Sequence, residues 1–184
     1  MPASLETGSA CQAKGNMETP GDVTRSTGGL PFLGSRGGGW VIAQLVVYGV
    51  VLVAGRRGRR WSGWPTARAA AGTVLLTVGA LMLLAGSAQM GRRSLTPYPR
   101  PRASSELVRS GLYSQVRHPI YGGVLALAAG WSLLTGPAAV LATGLTAAFL
   151  DMKSHREETW LRQRYPEYEQ YRHAVPRRFL PFIW

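Results

Sequence analysis

The chain has 184 residues, enough for one domain, and 46% of them are hydrophobic. Its formal net charge is +12, and all but two of its 21 basic residues are arginine. The arginines flank apolar segments rather than forming one stripe with interleaved aromatic residues, so membrane lipid is the better partner and nucleic-acid binding is disfavoured. Cys11 is the single cysteine, which excludes a disulfide framework and a cysteine-based metal site, and we predict no metal.

The first half of the chain contains a polar tail and two apolar segments. Residues 1–39 are rich in Gly, Ser, Thr and Pro, so we expect a disordered tail there and a folded membrane domain at residues 40–184. The apolar segment 40–54 begins too late for a cleaved signal peptide and is interpreted as a retained span, although it is short for a bilayer core of about 30 Å. The segment 69–90 is long enough to cross with some tilt.

Two further apolar segments, 120–134 and 137–152, are separated by a Gly-Pro turn and predict a helical hairpin. Small residues on both arms would let the two backbones approach closely, as helices do in lipid. These residues are Gly123, Ala126, Gly130, Ala142, Thr146 and Ala148. The predicted fold is therefore an all-α integral membrane protein with about four transmembrane helices.

The distribution of arginine predicts the orientation of the four spans. A hairpin puts the loop before it, the polar tail 153–184 after it and the N-terminus on one side. The opposite side receives five arginines, namely Arg56, Arg57, Arg59, Arg60 and Arg68. Because the other basic residues lie on the first side, the positive-inside rule favours both termini in the cytoplasm, although the Arg56–Arg60 loop violates it.

A basic, Pro-rich loop gives way to an apolar helix just before the hairpin. Pro119 is expected to start this helix, with His118 as an extended residue at its mouth. The unpaired N–H groups and the dipole at such an end accept a carboxylate or phosphate. Arg117 and His118 would add donors, and Tyr113 and Tyr121 would add aromatic faces. This stretch alone fits equally a polar-ligand site and a helix capped at a membrane surface.

The hairpin is expected to return Glu157 and Glu158 to the depth of His118. Taken alone, adjacent glutamates flanked by arginines are usually a solvated helix face. Beside a cationic and aromatic helix start, they would instead complete a site for a zwitterion with an additional positive charge, and S-adenosylmethionine has these features. Since adjacent helical residues point about 100° apart, Glu157 is the better candidate of the two.

Helix is expected to continue beyond the last span to about Tyr165, where Pro166 stops it. The aromatic residues of this region, including Tyr168 and Tyr171, are interpreted as interfacial. His155 is also interpreted as an interfacial residue, although it or His118 could take a proton from an amine or thiol acceptor near neutral pH.

Six motifs follow one another in the second half of the chain. They are Ser105-Glu106-Leu107-Val108, Gly111-x-Tyr113, Arg117-His118-Pro119-x-Tyr121-x-Gly123, Glu157-Glu158, Tyr165-Pro166-x-Tyr168-x-x-Tyr171 and Val175-Pro176. No single motif is specific, but the ordered combination resembles the isoprenylcysteine carboxyl methyltransferase family, to which the phospholipid N-methyltransferases are related. The resemblance covers about Thr96 to Ile183.

The resemblance implies an S-adenosylmethionine-dependent methyltransferase with a cofactor pocket on the cytoplasmic side and a lipophilic acceptor that enters from the bilayer. The cofactor contacts that it implies are Glu106, Leu107, Val108, Tyr113, His118, Pro119, Ile120, Tyr121, Glu157 and Glu158. It implies catalytic roles for Lys153, Glu157 and His118. Members of the family that methylate prenylcysteine have an arginine at the position of Lys153. Here a single ammonium would contact the substrate carboxylate in place of a planar guanidinium group. The alternatives are phospholipid N-methylation and a non-catalytic membrane protein that binds anionic lipid.

Overall fold

The computed structural model describes residues 38–63, 65–94 and 106–181, which all lie in one compact unit, Pro31–Trp184. Within these ranges the chain is helical and forms no strand. The elements are α1 (Gly38–Arg57), α2 (Pro65–Ser94), α3 (Pro119–Thr135), α4 (Pro137–Arg164) and α5 (Tyr168–Ala174), with a 3-10 turn at Gly111–Ser114. Nearly all of the expected N-terminal tail and the motif residue Ser105 lie outside the described residues.

Helices α1 and α2 are long and apolar enough to cross a membrane, with candidate spans at Gly38–Arg57 and Pro65–Gly91. Large apolar side chains on both helices face outward, as against lipid; Leu45 and Leu84 are 66% and 67% exposed. The first segment is longer than the predicted 40–54 because α1 runs on into its terminal arginines, which are good helix formers. Its 20 residues extend about 30 Å along the helix axis, so α1 is long enough to cross a bilayer core, contrary to the prediction from the shorter segment.

The predicted helical hairpin is present. Helix α3 starts at Pro119, and His118 before it is non-helical, with φ −128° and ψ 63°. The turn lies at Gly136, where a Cβ would overlap the carbonyl of Arg59. Helix α4 then runs on to Arg164, so the predicted continuation beyond the apolar part, residues 137–152, is also confirmed.

Two glycines of α3 pack against α2 rather than against α4. A Cβ on Gly123 would lie 2.8 Å from the carbonyl oxygen of Gly79, and one on Gly130 would lie 2.7 Å from that of Gly72. Glycines spaced by seven residues on both helices therefore meet in pairs and let the backbones touch. The prediction of close packing at small residues is right, but the partner predicted for Gly123 and Gly130 is wrong.

The small residues of α4 differ in their surroundings. Ala142 packs with Ala128 of α3 and Val51 of α1, and Thr146 is buried with its hydroxyl donating to the Ala142 carbonyl at 2.9 Å. Ala148 is exposed, so it takes no part in the predicted close approach. Helix α1 thus contacts both arms of the hairpin.

The segment after α4 folds back beneath the start of α3. Tyr168 and Tyr171 of α5 are only 1% and 6% exposed, and they form a cluster with Val175 against Leu107. The Tyr171 hydroxyl donates to the Tyr113 carbonyl at 2.7 Å. The interfacial placement predicted for Tyr168 and Tyr171 is therefore wrong, because α5 covers the loop that precedes α3.

Candidate functional site

The hairpin brings His118 and the two glutamates together at one end of the bundle. His118 Nδ1 lies 3.7 Å from Glu157 Oε2, and His118 Nε2 lies 3.3 Å from Glu158 Oε1. The backbone N–H of His118 donates to the Arg178 carbonyl at 2.8 Å, which fixes the mouth of α3 against the C-terminal segment. The predicted juxtaposition of His118 and Glu157 is confirmed, while their roles stay predictions.

Glu157 lies beyond the apolar part of α4 and is contacted from three sides. The Tyr121 hydroxyl donates to its Oε1 at 2.5 Å, and Lys153 Nζ lies 3.7 Å from the same oxygen. Burial raises the pKa of the Glu157 carboxyl, and the charges of His118 and Lys153 oppose that rise. Its side chain is only 16% exposed, so these contacts hold the carboxylate in a fixed position.

Aromatic rings form one wall beside Glu157. The rings of His118 and Tyr121 are stacked, with centroids 5.5 Å apart and an interplanar angle of 4°. Phe179 from the C-terminal segment is buried and packs obliquely against both rings, at 6.0 and 6.3 Å. This arrangement fixes the orientation of the imidazole and presents flat surfaces next to a carboxylate.

Lys153 lies in the interior, at 1% exposure. Its ammonium donates to Gln44 Oε1 of α1 at 2.5 Å and lies 5.2 Å from the ring centroid of Tyr121. The site therefore includes a residue from the first helix that the sequence motifs do not indicate. Gln44 is the one amide within the apolar segment 40–54, and a single polar residue in such a segment is the sequence feature that could have indicated its place in the site.

Arg117 and Glu158 form a buried ion pair that supports the site. Arg117 Nε donates to Glu158 Oε1 at 2.9 Å, and its Nη1 donates to the carbonyls of Val175 and Pro176, each at 2.7 Å. Burial alone would raise the pKa of Glu158, but hydrogen bonds and charge from His118 and then Arg117 outweigh it and lower the pKa to about 2. The expectation that Arg117 offers donors to a ligand is corrected, since these donors bind the protein itself.

Three other residues that are predicted to contact the cofactor lie against the C-terminal part of α2. Pro119 and Ile120 border Gly86, and the Tyr113 hydroxyl donates to the Gly86 carbonyl at 3.4 Å. Gln89, one turn further along α2, accepts the Leu112 N–H at 2.8 Å and so holds the 3-10 turn.

The described residues of the first motif are Glu106, Leu107 and Val108, and their surroundings differ. Leu107 packs against the Tyr168 cluster, Val108 is half-buried and Glu106 is exposed. His155 is exposed and lies beside Asp151 and Arg178, 3.3 Å from the Asp151 carboxylate.

Comparison with known proteins gives two similarities. A family model for phospholipid methyltransferase matches residues 67–168, a range that contains both His118 and Glu157. The chain is also 36% identical over 135 residues to the nickel-cobalt-cadmium resistance protein NccN of Alcaligenes xylosoxydans xylosoxydans. That alignment covers 71% of this chain and 60% of NccN, so the chain spans less than two thirds of this relative's length.

Proposed function

We propose that this chain, which belongs to the phospholipid methyltransferase family, transfers a methyl group from S-adenosylmethionine to a lipophilic acceptor in the membrane. The family includes the isoprenylcysteine carboxyl methyltransferases and related phospholipid methyltransferases, and membership indicates a membrane methyltransferase. The observation that carries the proposal is the 3.7 Å approach of His118 to Glu157. It joins the two motifs that the resemblance assigns to the cofactor.

The chemistry of these residues fits S-adenosylmethionine. Glu157 offers a carboxylate to an ammonium or to ribose hydroxyls, and His118 can donate to a carboxylate. The Tyr121 ring, stacked on His118, offers a face to a flat or cationic group. The bound cofactor would supply an electrophilic methyl group, and the chain's part would be to align the acceptor and exclude water.

A lipophilic carboxylate is the first acceptor candidate, through the resemblance. A phospholipid amine is the second, and the surroundings of Lys153 favour it. The Lys153 ammonium already donates to Gln44 and lies beside Glu157, so it has internal partners instead of facing a substrate carboxylate. An amine acceptor must lose a proton, and His118 is the candidate base, although its ring nitrogens face Glu157 and Glu158.

Transfer of labelled methyl groups tests the proposal and separates the two acceptors. Membranes that contain the protein are incubated with methyl-labelled S-adenosylmethionine, and the labelled lipid is extracted and treated with base. A methyl ester releases its label as methanol, whereas a methylamine keeps it.

We expect Glu157→Gln and His118→Ala each to reduce labelling by about tenfold or more, the equivalent of one hydrogen bond to a charged group. Glu169→Gln, which removes a surface carboxylate paired with Arg172, should label normally. Absence of labelled lipid in membranes containing the wild type, or equal losses in all three variants, would refute the proposal.

We extend the proposal to four spans, with the site and both termini on the cytoplasmic side. The hairpin of α3 and α4 supports this, as do the exposed Leu141 and Leu145 of α4, at 74% and 65%. Single cysteines in a Cys11→Ser background test it in intact cells with an impermeant maleimide. Arg57→Cys should be labelled from outside and His173→Cys only after permeabilisation; the reverse pattern would contradict the orientation.

A further inference from the structure

A cleft lies at the end of the bundle opposite the His118–Glu157 site. Helix α3 starts at that site and ends at Thr135, beside the loop that joins α1 to α2. Between this loop and the end of α3 is a cavity of about 270 Å³. Its lining includes Arg60, Trp61, Arg68, Ala69, Leu133 and Leu134.

The loop between α1 and α2, which carries Arg59 and Arg60, is held against the α3–α4 turn. Trp61 Nε1 donates to the Ser132 carbonyl at 2.9 Å, which anchors the loop to α3. The backbone of Arg59 lies so close to Gly136 that only glycine fits there. Arg68 lies over the Trp61 ring, with Cζ 5.3 Å from its centroid. The cleft is therefore built from backbone and ring contacts and does not depend on a ligand to form.

Among the described residues, the positive charge around the cleft has no carboxylate partner. Five arginines lie in or next to the loop: Arg56, Arg57, Arg59, Arg60 and Arg68. None of them pairs with a carboxylate in the part of the chain that the structure describes, and the sequence has no Asp or Glu between Asp22 and Glu106. By contrast, the buried arginine of the other site, Arg117, pairs with Glu158. An anion from outside the protein would balance this charge.

The walls of the cleft indicate what kind of anion fits. Arg60 and Arg68 bring two guanidinium groups, whose planar forks match phosphate oxygens. Leu133, Leu134 and Ala69 give the cleft an apolar wall, next to Thr135. A free phosphate would leave that apolar wall without a partner, whereas a lipid has glycerol and acyl carbons next to its phosphate.

We propose that this cleft binds the headgroup phosphate of an anionic phospholipid from the leaflet opposite the His118–Glu157 site. Arg60 and Arg68 contact the phosphate, and Leu133 and Leu134 contact the glycerol and the first acyl carbons. Anionic lipid attracts basic groups at a membrane surface, and the ordered cleft adds hydrogen bonds to that attraction. The site is distinct from the proposed methyl-transfer site, and its placement in the opposite leaflet rests on the proposed four spans.

Native mass spectrometry of the full chain in detergent, titrated with phosphatidylglycerol, tests the proposal. The wild type should retain one tightly bound lipid, and Arg60→Gln/Arg68→Gln should weaken its binding by about tenfold or more, since two charge-assisted hydrogen bonds are lost. Arg56→Gln/Arg57→Gln is the matched control, because it removes the same charge from the last turn of α1, at two positions near the cleft that do not line it. Its lipid affinity should stay within about twofold of the wild type.

Three results would overturn the proposal. Equal loss in both double variants would show that only bulk charge matters, and equal retention in both would show that the cleft holds no lipid. Displacement of the lipid by millimolar inorganic phosphate would assign the cleft to a free anion.

If circular dichroism shows that the Arg60 and Arg68 double variant is unfolded, Arg60→Gln alone takes its place, because the Arg60 side chain is exposed. It should weaken lipid binding by about threefold or more, and unchanged affinity would contradict the proposal.

Discussion

Glu158 is a buried carboxylate, 2% exposed, whose charge the folded chain stabilises with Arg117 and His118. Its pKa in the folded state is lowered to about 2 from an ordinary value of 4.5. A carboxylate with a lowered folded pKa contributes its full stabilisation above the ordinary value and loses it as the pH falls toward the folded value. The stabilisation at stake is roughly 3 kcal/mol.

Thermal unfolding in detergent from pH 6 down to pH 3 tests this role. The wild type should be more stable than Glu158→Gln at pH 6, and the gap should narrow as the pH falls below about 4.5. Glu169→Gln removes an exposed carboxylate and should differ little from the wild type at any pH, since solvent screens its pairing with Arg172. A gap for Glu158→Gln that does not change with pH would contradict the pKa assignment.

The same residues show what single-residue patterns could and could not predict. Pro119, His118 and Glu157 were predictable, since a proline fixes the start of a helix and a hairpin returns the chain to the same end. The contact between Gln44 and Lys153 was not predictable, because the two residues lie on helices far apart in sequence and nothing local fixes their register. Nor could the pattern show that Arg117 binds Glu158 rather than a ligand.

At the scale of helices, the contact between α2 and α3 depends on paired glycines. A Cβ on Gly79 would lie 2.7 Å from both the Gly123 carbonyl oxygen and the Leu127 nitrogen. Both are backbone atoms of α3, so they cannot move aside as a side chain can. Gly144 of α4, by contrast, has open space where its Cβ would lie.

Alanine substitution at these two glycines should have opposite effects. Alanine is favoured over glycine in a helix by about 1 kcal/mol, so Gly144→Ala should be neutral or stabilising. Gly79→Ala should destabilise by about 1–3 kcal/mol, because the methyl group forces α2 and α3 apart. Melting temperatures in detergent measure both, and a Gly79→Ala variant as stable as Gly144→Ala would show that the helices can separate without cost.

The helix boundaries were largely predictable, and the packing partners were not. Pro119, the Gly136-Pro137 pair and Pro166 mark the start, the turn and the end of the hairpin by local backbone chemistry. The side of α3 that faces α2 depends on the whole bundle, which is why Gly123 was assigned to the wrong neighbour. The burial of Tyr168 on α5 likewise arises from tertiary folding.

At the scale of the whole molecule, the two ends of the bundle differ in whether their charges are paired within the protein. One end holds carboxylates, a histidine and a lysine in a connected network around Glu157. The other end holds arginines that pair with no carboxylate among the residues that the structure describes, and these arginines lie in or next to the cleft at Arg60 and Arg68. The 17 residues of α3 separate these ends by about 25 Å, close to the thickness of a bilayer core. We therefore expect ligand binding at one end to be independent of ligand binding at the other.

The most direct test of a shared His118–Glu157 cofactor site is calorimetric titration of the solubilised protein with S-adenosylmethionine. The wild type should bind saturably, and His118→Ala and Glu157→Ala should each weaken binding by about tenfold or more. Because the two side chains are in contact, the double variant should lose little more than the weaker single variant. No saturable binding by the wild type, or full affinity retained by either single variant, would contradict a single site built from these two residues.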